Sequence, residues 1–153
     1  MKESYEVDVK EYFKYPDILK EEGEFDRVAE TFGIEASVLM FQAQSGELVE
    51  LGDDVWDKLE NTDANTFEAG DWDAVHAHSN PNGEKKRDWE ELRDKIDSGT
   101  VLDAPIIMKF GDRYHLVSGN TRLMVSKAKG ISPKVLIFEV DIQTPSDIIE
   151  QTV

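Results

Sequence analysis

The sequence predicts an α+β fold, because short apolar runs of strand length occur beside segments whose apolar residues recur at helical spacing. Three runs have strand character: residues 105–110, 114–117 and 135–140. Helical spacing is clear in residues 89–96. The chain has 153 residues, enough for one domain or for a smaller core domain with an appendage, and its 39% hydrophobic residues suffice for a buried core.

Residues 5–32 are predicted to be helical. Apolar side chains recur at helical spacing through residues 5–32, with interruptions at Pro16 and near Gly23. Two short helices joined by a turn are therefore expected. Gly33 is expected to end the second helix.

The next segment is less regular. Residues 37–51 indicate two strands around a Ser45-Gly46 turn, although a helix through the first half remains open. Residues 52–74 are rich in Asp, Asn and Gly and predict a solvated acidic loop. Within that loop, residues 55–59 form one amphipathic fragment that predicts a short helix.

From residue 72 onward the local signals are stronger. Residues 72–78 alternate enough to predict a strand, and Ser79-Asn80-Pro81-Asn82-Gly83 is a strong turn signal. The remaining elements follow from periodicity and from the glycines that interrupt it: a helix up to Gly99, a hairpin turn at Gly111-Asp112, a helix from near Asn120 to Gly130, and a short helix or frayed tail from Pro145.

Negative charge is concentrated in the N-terminal half. The chain has 17 Lys and Arg against 33 Asp and Glu, a net charge of -16; residues 1–83 hold 21 acids and six bases, whereas residues 100–153 hold six of each. Such a field repels nucleic-acid phosphates, so direct DNA binding is disfavoured. The acidic half is expected to be a solvated surface. Docking onto a basic protein partner, mimicry of nucleic-acid charge and an acidic proteome from a salty habitat remain open.

Several classes of protein are excluded by composition. The chain has no cysteine, which excludes disulfides, thiolate zinc sites and a cysteine nucleophile. The first thirty residues are charged throughout and lack the apolar segment of a signal peptide. Because no run approaches the roughly 18 apolar residues of a membrane span, a cytoplasmic protein without a membrane partner is expected.

The most informative feature for function is the junction within residues 116–129, where a strand is predicted to break at Gly119 and continue as a helix. The first amides of a helix lack intrahelical acceptors and lie at the positive end of its dipole, so they favour an anion. Ser118 and Thr121 add hydroxyl donors, and Arg122 adds a forked cation. The junction therefore predicts a phosphate site.

Other charged and polar residues are weaker candidates. Lys85, Lys86 and Arg87 form the chain's only basic triplet. They represent either a solvated helix start or part of the phosphate site. Because positive charge at a helix start is electrostatically unfavourable, the phosphate-site interpretation is favoured. His76 and His78 lie two apart on the predicted strand and would share one side. No third ligand accompanies them, so packing or a general base is expected and no metal site is assigned.

Residues 72–141 contain an ordered set of motifs: the Asn80-Pro81-Asn82 turn with Arg87 nearby, the helix from Trp89, the Ala104-Pro105-Ile106-Ile107 strand and the Gly119-x-x-Arg122 turn. In this order the motifs resemble those of the ParB/sulfiredoxin superfamily. The resemblance implies a ParB/sulfiredoxin-like domain over residues 72–153, with helices packed on a small mixed sheet. Residues 1–71 would then be an acidic, mainly helical extension.

Members of that superfamily hold nucleotide phosphates at the Gly-x-x-Arg turn: CTP in ParB proteins, ATP in sulfiredoxins, and ADP or ATP in similar free serine kinases. The resemblance therefore implies a nucleotide-binding protein, acting as a small kinase or nucleotide hydrolase, with Mg²⁺ bound beside the phosphates. The residues implied in phosphate or nucleotide binding are Ser118, Gly119, Asn120, Thr121, Arg122, Asn80, Lys86 and Arg87.

Departures from the superfamily's Gly-x-x-Arg motif exclude or weaken some of the activities that the resemblance implies. Asn120 lies where sulfiredoxins have the catalytic cysteine, so sulfinic acid repair is excluded. Thr121 lies where ParB proteins have arginine, which weakens CTP clamping, and only about a dozen residues follow the last strand, too few for a DNA-binding module. His76, His78 and Asn120 remain the catalytic candidates. The alternatives are a non-enzymatic interaction or DNA-mimicking module, and a ParB-like nuclease, against which the net charge argues.

Overall fold

The computed structural model of the chain describes residues 11–80 and 88–140. The helices are α1 (Glu22–Phe32), α2 (Ala36–Ala43), α3 (Asp53–Lys58), α4 (Trp72–Ser79), α5 (Trp89–Asp97) and α6 (Asn120–Lys129). The strands are β1 (Phe13–Lys14), β2 (Glu47–Glu50), β3 (Leu59–Glu60), β4 (Leu102–Asp103), β5 (Ile106–Phe110), β6 (Arg113–Ser118) and β7 (Lys134–Glu139). Short 3-10 turns occupy Ile18–Glu21 and Ala64–Thr66.

The fold is α+β with a small mixed sheet, as the sequence predicts. Five strands lie in the order β2-β7-β5-β6-β3. The β5–β6 hairpin and the β2–β7 pair are antiparallel, whereas β5–β7 and β3–β6 are parallel. A separate parallel pair joins β1 to β4. Strands from both predicted ranges, residues 1–71 and residues 72–153, join in the five-stranded sheet.

Each face of the sheet is covered by its own layer of helices. Successive strand residues point to opposite faces, so neighbours such as Ile106 and Ile107 enter different clusters. Ile107 packs in a cluster with side chains of α4, α5 and α6. Ile106 packs in a second cluster with Phe25 of α1 and Leu39 of α2, both fully buried. Helices α1 and α2 thus form one layer of the fold, and α4, α5 and α6 form the other.

Several predicted elements are confirmed. The described structure has the short helix near residues 55–59, the helix before Gly99, the strands near 105–110 and 135–140, the 114–117 return strand and the helix from Asn120 to Gly130. Gly33 ends α1 as expected. Gly111-Asp112 forms the hairpin turn between β5 and β6. These elements carry their own turn and cap residues, so local chemistry specifies them.

The predicted strand at residues 72–78 is wrong, because this segment is helix α4. Val75 and Ser79 are both fully buried and lie four residues apart, the spacing of one helix face. Trp72 stacks on Trp89 of α5, with ring centroids 5.6 Å apart. Tertiary packing therefore determines the helix despite the alternating pattern.

Two helices are predicted within residues 5–32, and the first of them is wrong for the residues that the structure describes. Residues 13 and 14 form β1, whose neighbourhood is tied to β4: Leu102 N donates to Tyr12 O and Ala104 N donates to Lys14 O, both at 2.9 Å. Pro16 has no amide donor and disfavours helix in the residue before it. Residues 5–10 lie outside the described ranges.

The first of the two strands predicted in residues 37–51 is wrong. That half is α2, the alternative left open, and β2 is the second strand. Leu39 and Ala43 are fully buried one helical turn apart, while Phe41 on the opposite side is 70% exposed.

None of the helices within the described ranges is long and apolar enough to cross a membrane. The tail from Pro145 and the turn residues 81–83 lie outside those ranges.

Candidate phosphate-binding site

The junction between β6 and α6 has the predicted shape. Gly119 precedes the helix with φ 107° and ψ 23°, and no side chain caps the start of α6. A Cβ atom added at Gly119 would lie 2.6 Å from Cβ of Pro105 and 2.8 Å from its Cα. The glycine is therefore required by the backbone conformation and by close packing on Pro105, a contact within the protein rather than an approach to a ligand.

Arg122 and Ser118 converge at this junction on a carboxylate, that of Glu21. Ser118 Oγ donates to Glu21 Oε1 at 2.6 Å, and Arg122 Nη2 lies 3.4 Å from Glu21 Oε2. Arg122 Nη2 also donates to Ser118 Oγ at 3.1 Å. The junction therefore holds an oxygen anion supplied by the chain itself.

The position of the Arg122 guanidinium is fixed from the opposite side by backbone. Its Nη1 donates to Asp103 O at 2.6 Å, at the end of β4. The Arg122 and Glu21 side chains are only 16% and 18% exposed, respectively. Water screens such a pair much less than a surface pair, so Glu21 offsets positive charge that Arg122 would present to a ligand.

A pocket of about 130 Å³ lies beside the same helix start. It is lined by Glu24, Arg27, Asn61, Leu116, Val117, Ser118, Gly119 and Asn120. Arg27 brings a second cation to the junction; it pairs with Glu24 at 2.7 Å, and its side chain is 75% exposed. Ligands of drug size occupy pockets of about 300–1,000 Å³, so this pocket is too small to enclose a whole nucleotide.

Asn120 connects the start of α6 to the loop after β3. Its Oδ1 accepts a hydrogen bond from Thr62 Oγ1, and Thr62 Oγ1 accepts one from Ala64 N at 3.0 Å. Asn61, with φ 69°, donates from Nδ2 to Leu116 O at 2.9 Å. The Asn120 side chain is thus engaged in holding this loop against the junction.

The other predicted binding residues are dispersed or undescribed. Thr121 is half-buried in the first turn of α6. Asn80 ends α4, where its Nδ2 donates to His76 O at 2.9 Å. Lys86 and Arg87 lie outside the described residues.

The prediction that His76 and His78 share one side is wrong, because residues two apart on a helix point in nearly opposite directions. The His76 ring meets the Trp89 indole edge-on, at 6.0 Å between centroids. The His78 ring lies 6.3 Å from the ring of Phe67, and its Nδ1 is 3.9 Å from Asp63 Oδ2. In residues 11–80 and 88–140, no group of three or more His, Asp or Glu residues could hold a metal ion.

No family model, curated protein or solved structure matches this chain. The resemblance to the ParB/sulfiredoxin superfamily therefore stays a prediction from the motifs.

Sequence reasoning missed three residues of the site. Glu21 is 97 positions from its partner Ser118, and Asp103 contributes to the site through its backbone carbonyl. Arg27 reaches the pocket from α1. Once the Arg122 guanidinium is largely buried, it needs a carboxylate partner. The chain has 33 acidic residues, so the composition does not identify which of them is the partner.

A second charged cluster lies farther along β6. Arg113 binds Glu60 with two hydrogen bonds, of 2.8 and 2.9 Å, and these lower the pKa of the Glu60 carboxyl. His115 Nδ1 is 3.5 Å from Glu60 Oε1, longer than an ordinary hydrogen bond. Burial therefore outweighs the carboxylate and lowers the pKa of His115 below its ordinary value of 6.5.

This cluster predicts that acid destabilises the fold in two stages. Because the folded state disfavours protonated His115, the unfolded chain binds more protons below about pH 6.5, and stability falls as the pH drops toward the lowered pKa. The contribution of Glu60 is complete above about pH 4.5 and is lost as the pH falls through its own lowered pKa. Urea unfolding at pH 8, 6 and 5 should show a smaller decline for His115→Gln than for the wild type. Parallel declines would contradict the role of His115.

Proposed function

We propose that this protein binds the phosphate of a nucleotide, ATP, ADP or CTP with Mg²⁺, at the β6–α6 junction formed by Ser118, Gly119 and Arg122. The observation that carries the proposal is the bound carboxylate of Glu21. A hydroxyl donor and a guanidinium that converge on one carboxylate can also bind phosphate oxygens, since both anions accept the same charge-assisted hydrogen bonds.

The helix start strengthens this assignment. The amides of the first turn of α6 are not capped by a side chain at Gly119, and an uncapped helix N-terminus favours anions through its amides and dipole. The exposed Arg27 side chain lines the adjoining pocket and can turn toward a phosphate. At about 130 Å³, the pocket that adjoins Ser118 would leave the ribose and base of a nucleotide on the outer surface.

The described contacts support binding more strongly than catalysis. Asn120 is hydrogen-bonded to Thr62, and His76 and His78 contact side chains of α5 and of the loop before α4. Phosphoryl transfer requires a positioned acceptor and neutralisation of developing charge, to which Arg122 and Arg27 would contribute. A kinase or hydrolase activity would build on the binding site proposed here.

The proposal is tested by titrating the full chain with ATP, ADP, CTP and GTP in the presence of Mg²⁺, and with inorganic phosphate. A ligand that binds only the folded state raises its stability, by about 2.7 kcal/mol at a hundred times Kd. At least one nucleotide should raise the melting temperature of the wild type. The increase, measured from each variant's own baseline, should vanish in Arg122→Ala.

Arg113→Ala is the matched control, because Arg113 also pairs with a glutamate but lies at the other end of β6. It should respond to nucleotide as the wild type does. Equal increases in Arg122→Ala and Arg113→Ala would place binding elsewhere on the chain. A wild type that responds to none of these ligands would refute the phosphate site.

A further inference from the structure

We infer that Glu21 is an internal competitor for the phosphate: its carboxylate closes the junction when no ligand is bound and must leave before a phosphate can enter. This inference rests on the proposed function. Its basis is direct, because the two side chains that would bind the phosphate, Ser118 and Arg122, are the two that Glu21 occupies.

Glu21 can leave without unfolding its surroundings. It ends the 3-10 turn Ile18–Glu21, which is anchored by Ile18, 6% exposed and packed in the same cluster as Phe25 of α1. Asp17 N donates to Asp103 Oδ2 at 3.1 Å, which ties the start of that turn to the end of β4. The backbone is therefore held before Glu21 by Asp17 and Ile18 and after it by the buried Phe25, so opening requires only rotation of the Glu21 side chain.

Arg122 remains in position when Glu21 leaves. Its Nη1 is bonded to Asp103 O, in the β4 segment that pairs with β1, so the guanidinium keeps a backbone partner in both states. Only Nη2, which faces Glu21 and Ser118, changes partner. The exchange therefore replaces the Glu21 carboxylate by a phosphate, while the Arg122 guanidinium stays in place.

A tethered competitor also selects the ligand. A carboxylate attached to the chain acts at a high effective concentration, on the millimolar scale or above. A free carboxylate offers the same two acceptor oxygens and cannot displace Glu21 at comparable concentration. A phosphate carries more charge and a third oxygen for the helix amides, so it replaces Glu21 with a net gain of contacts. Glu21 thus favours phosphate over free carboxylates.

The test is calorimetric titration of the full chain with inorganic phosphate and with the nucleotide that binds best, at about 0.15 M salt to screen distant charges. Glu21→Gln should bind phosphate about ten-fold more tightly or better, because apparent affinity rises with the fraction of open sites. Glu21→Ala, which removes the whole carboxylate, should show the same direction. Acetate should bind Glu21→Ala and not the wild type.

Glu22→Gln is the matched control, since Glu22 is the next residue along the chain and carries the same charge, but is exposed in the first turn of α1. It should change phosphate affinity by about three-fold or less. If Glu21→Gln and Glu22→Gln tighten binding equally, Glu21 acts only through its charge and the competitor role is refuted. Equal phosphate affinity in wild type and both Glu21 variants refutes that role and leaves the proposed function standing. No binding in any of them refutes the proposed function and, with it, the competitor role.

Discussion

Replacing Gly119 with alanine is expected to lower the free energy of unfolding by about 2–6 kcal/mol. Two costs combine. A φ of 107° is strained for a residue with a side chain, at about 1–3 kcal/mol. The new methyl would also lie 2.6 Å from Cβ of Pro105, and relieving such a clash in a packed region costs about 1–3 kcal/mol.

The variant Gly111→Ala measures the backbone cost without the clash against Pro105. Gly111 also has a positive φ, 60°, but a Cβ there would meet nothing within 4 Å. Its loss should be about 1–2 kcal/mol, the backbone cost alone. Urea unfolding curves of both variants measure the difference, which reports the contact with Pro105. Equal losses would show that Pro105 moves aside without cost.

The parts of the fold that could be predicted are those with local chemical signals. The β5–β6 hairpin has a Gly-Asp turn between two apolar runs, and α6 lies between Gly119 and Gly130. Such signals act over a few residues, so they hold whatever the rest of the chain does.

The parts that could not be predicted are short elements determined by distant partners. Helix α4 has eight residues and is held by Trp72 stacked on Trp89 of α5. Strand β1 has two residues and exists through its pairing with β4, almost ninety positions later. Isolated segments of this length have little preference of their own, so tertiary contacts decide their state.

The candidate site also has a part that could be predicted from the sequence and a part that could not. Ser118, Gly119 and Arg122 are neighbours on the chain, and the strand-to-helix junction could be predicted from them. The carboxylate that binds them could not, because a loop closure of 97 residues brings Glu21 there. An anion site predicted from a helix start can therefore be filled by a carboxylate of the chain itself.

The contacts of Arg122 predict a large stability cost for its removal, independent of any ligand. Arg122→Met keeps much of the side-chain volume but removes the donors to Asp103 O, Ser118 and Glu21. Glu21, only 18% exposed, would keep the Ser118 hydroxyl and lose its counter-charge. Leaving a carboxylate and a carbonyl so poorly compensated should lower the free energy of unfolding by about 2–4 kcal/mol.

Arg113→Met should cost less, about 1 kcal/mol or below, because Arg113 is 58% exposed and its pair with Glu60 lies in contact with solvent. A double-mutant cycle identifies the source of the larger loss. Since Arg122→Met destabilises partly by stranding the Glu21 carboxylate, Glu21→Gln should recover part of the loss, so the double variant should lose less than the sum of the single losses. Urea unfolding of the four proteins measures this coupling, and additive losses would mean that the two side chains stabilise the fold separately. A measured coupling would give the free energy by which Arg122 holds Glu21, which together with the Ser118 hydrogen bond is the energy that an incoming phosphate must replace.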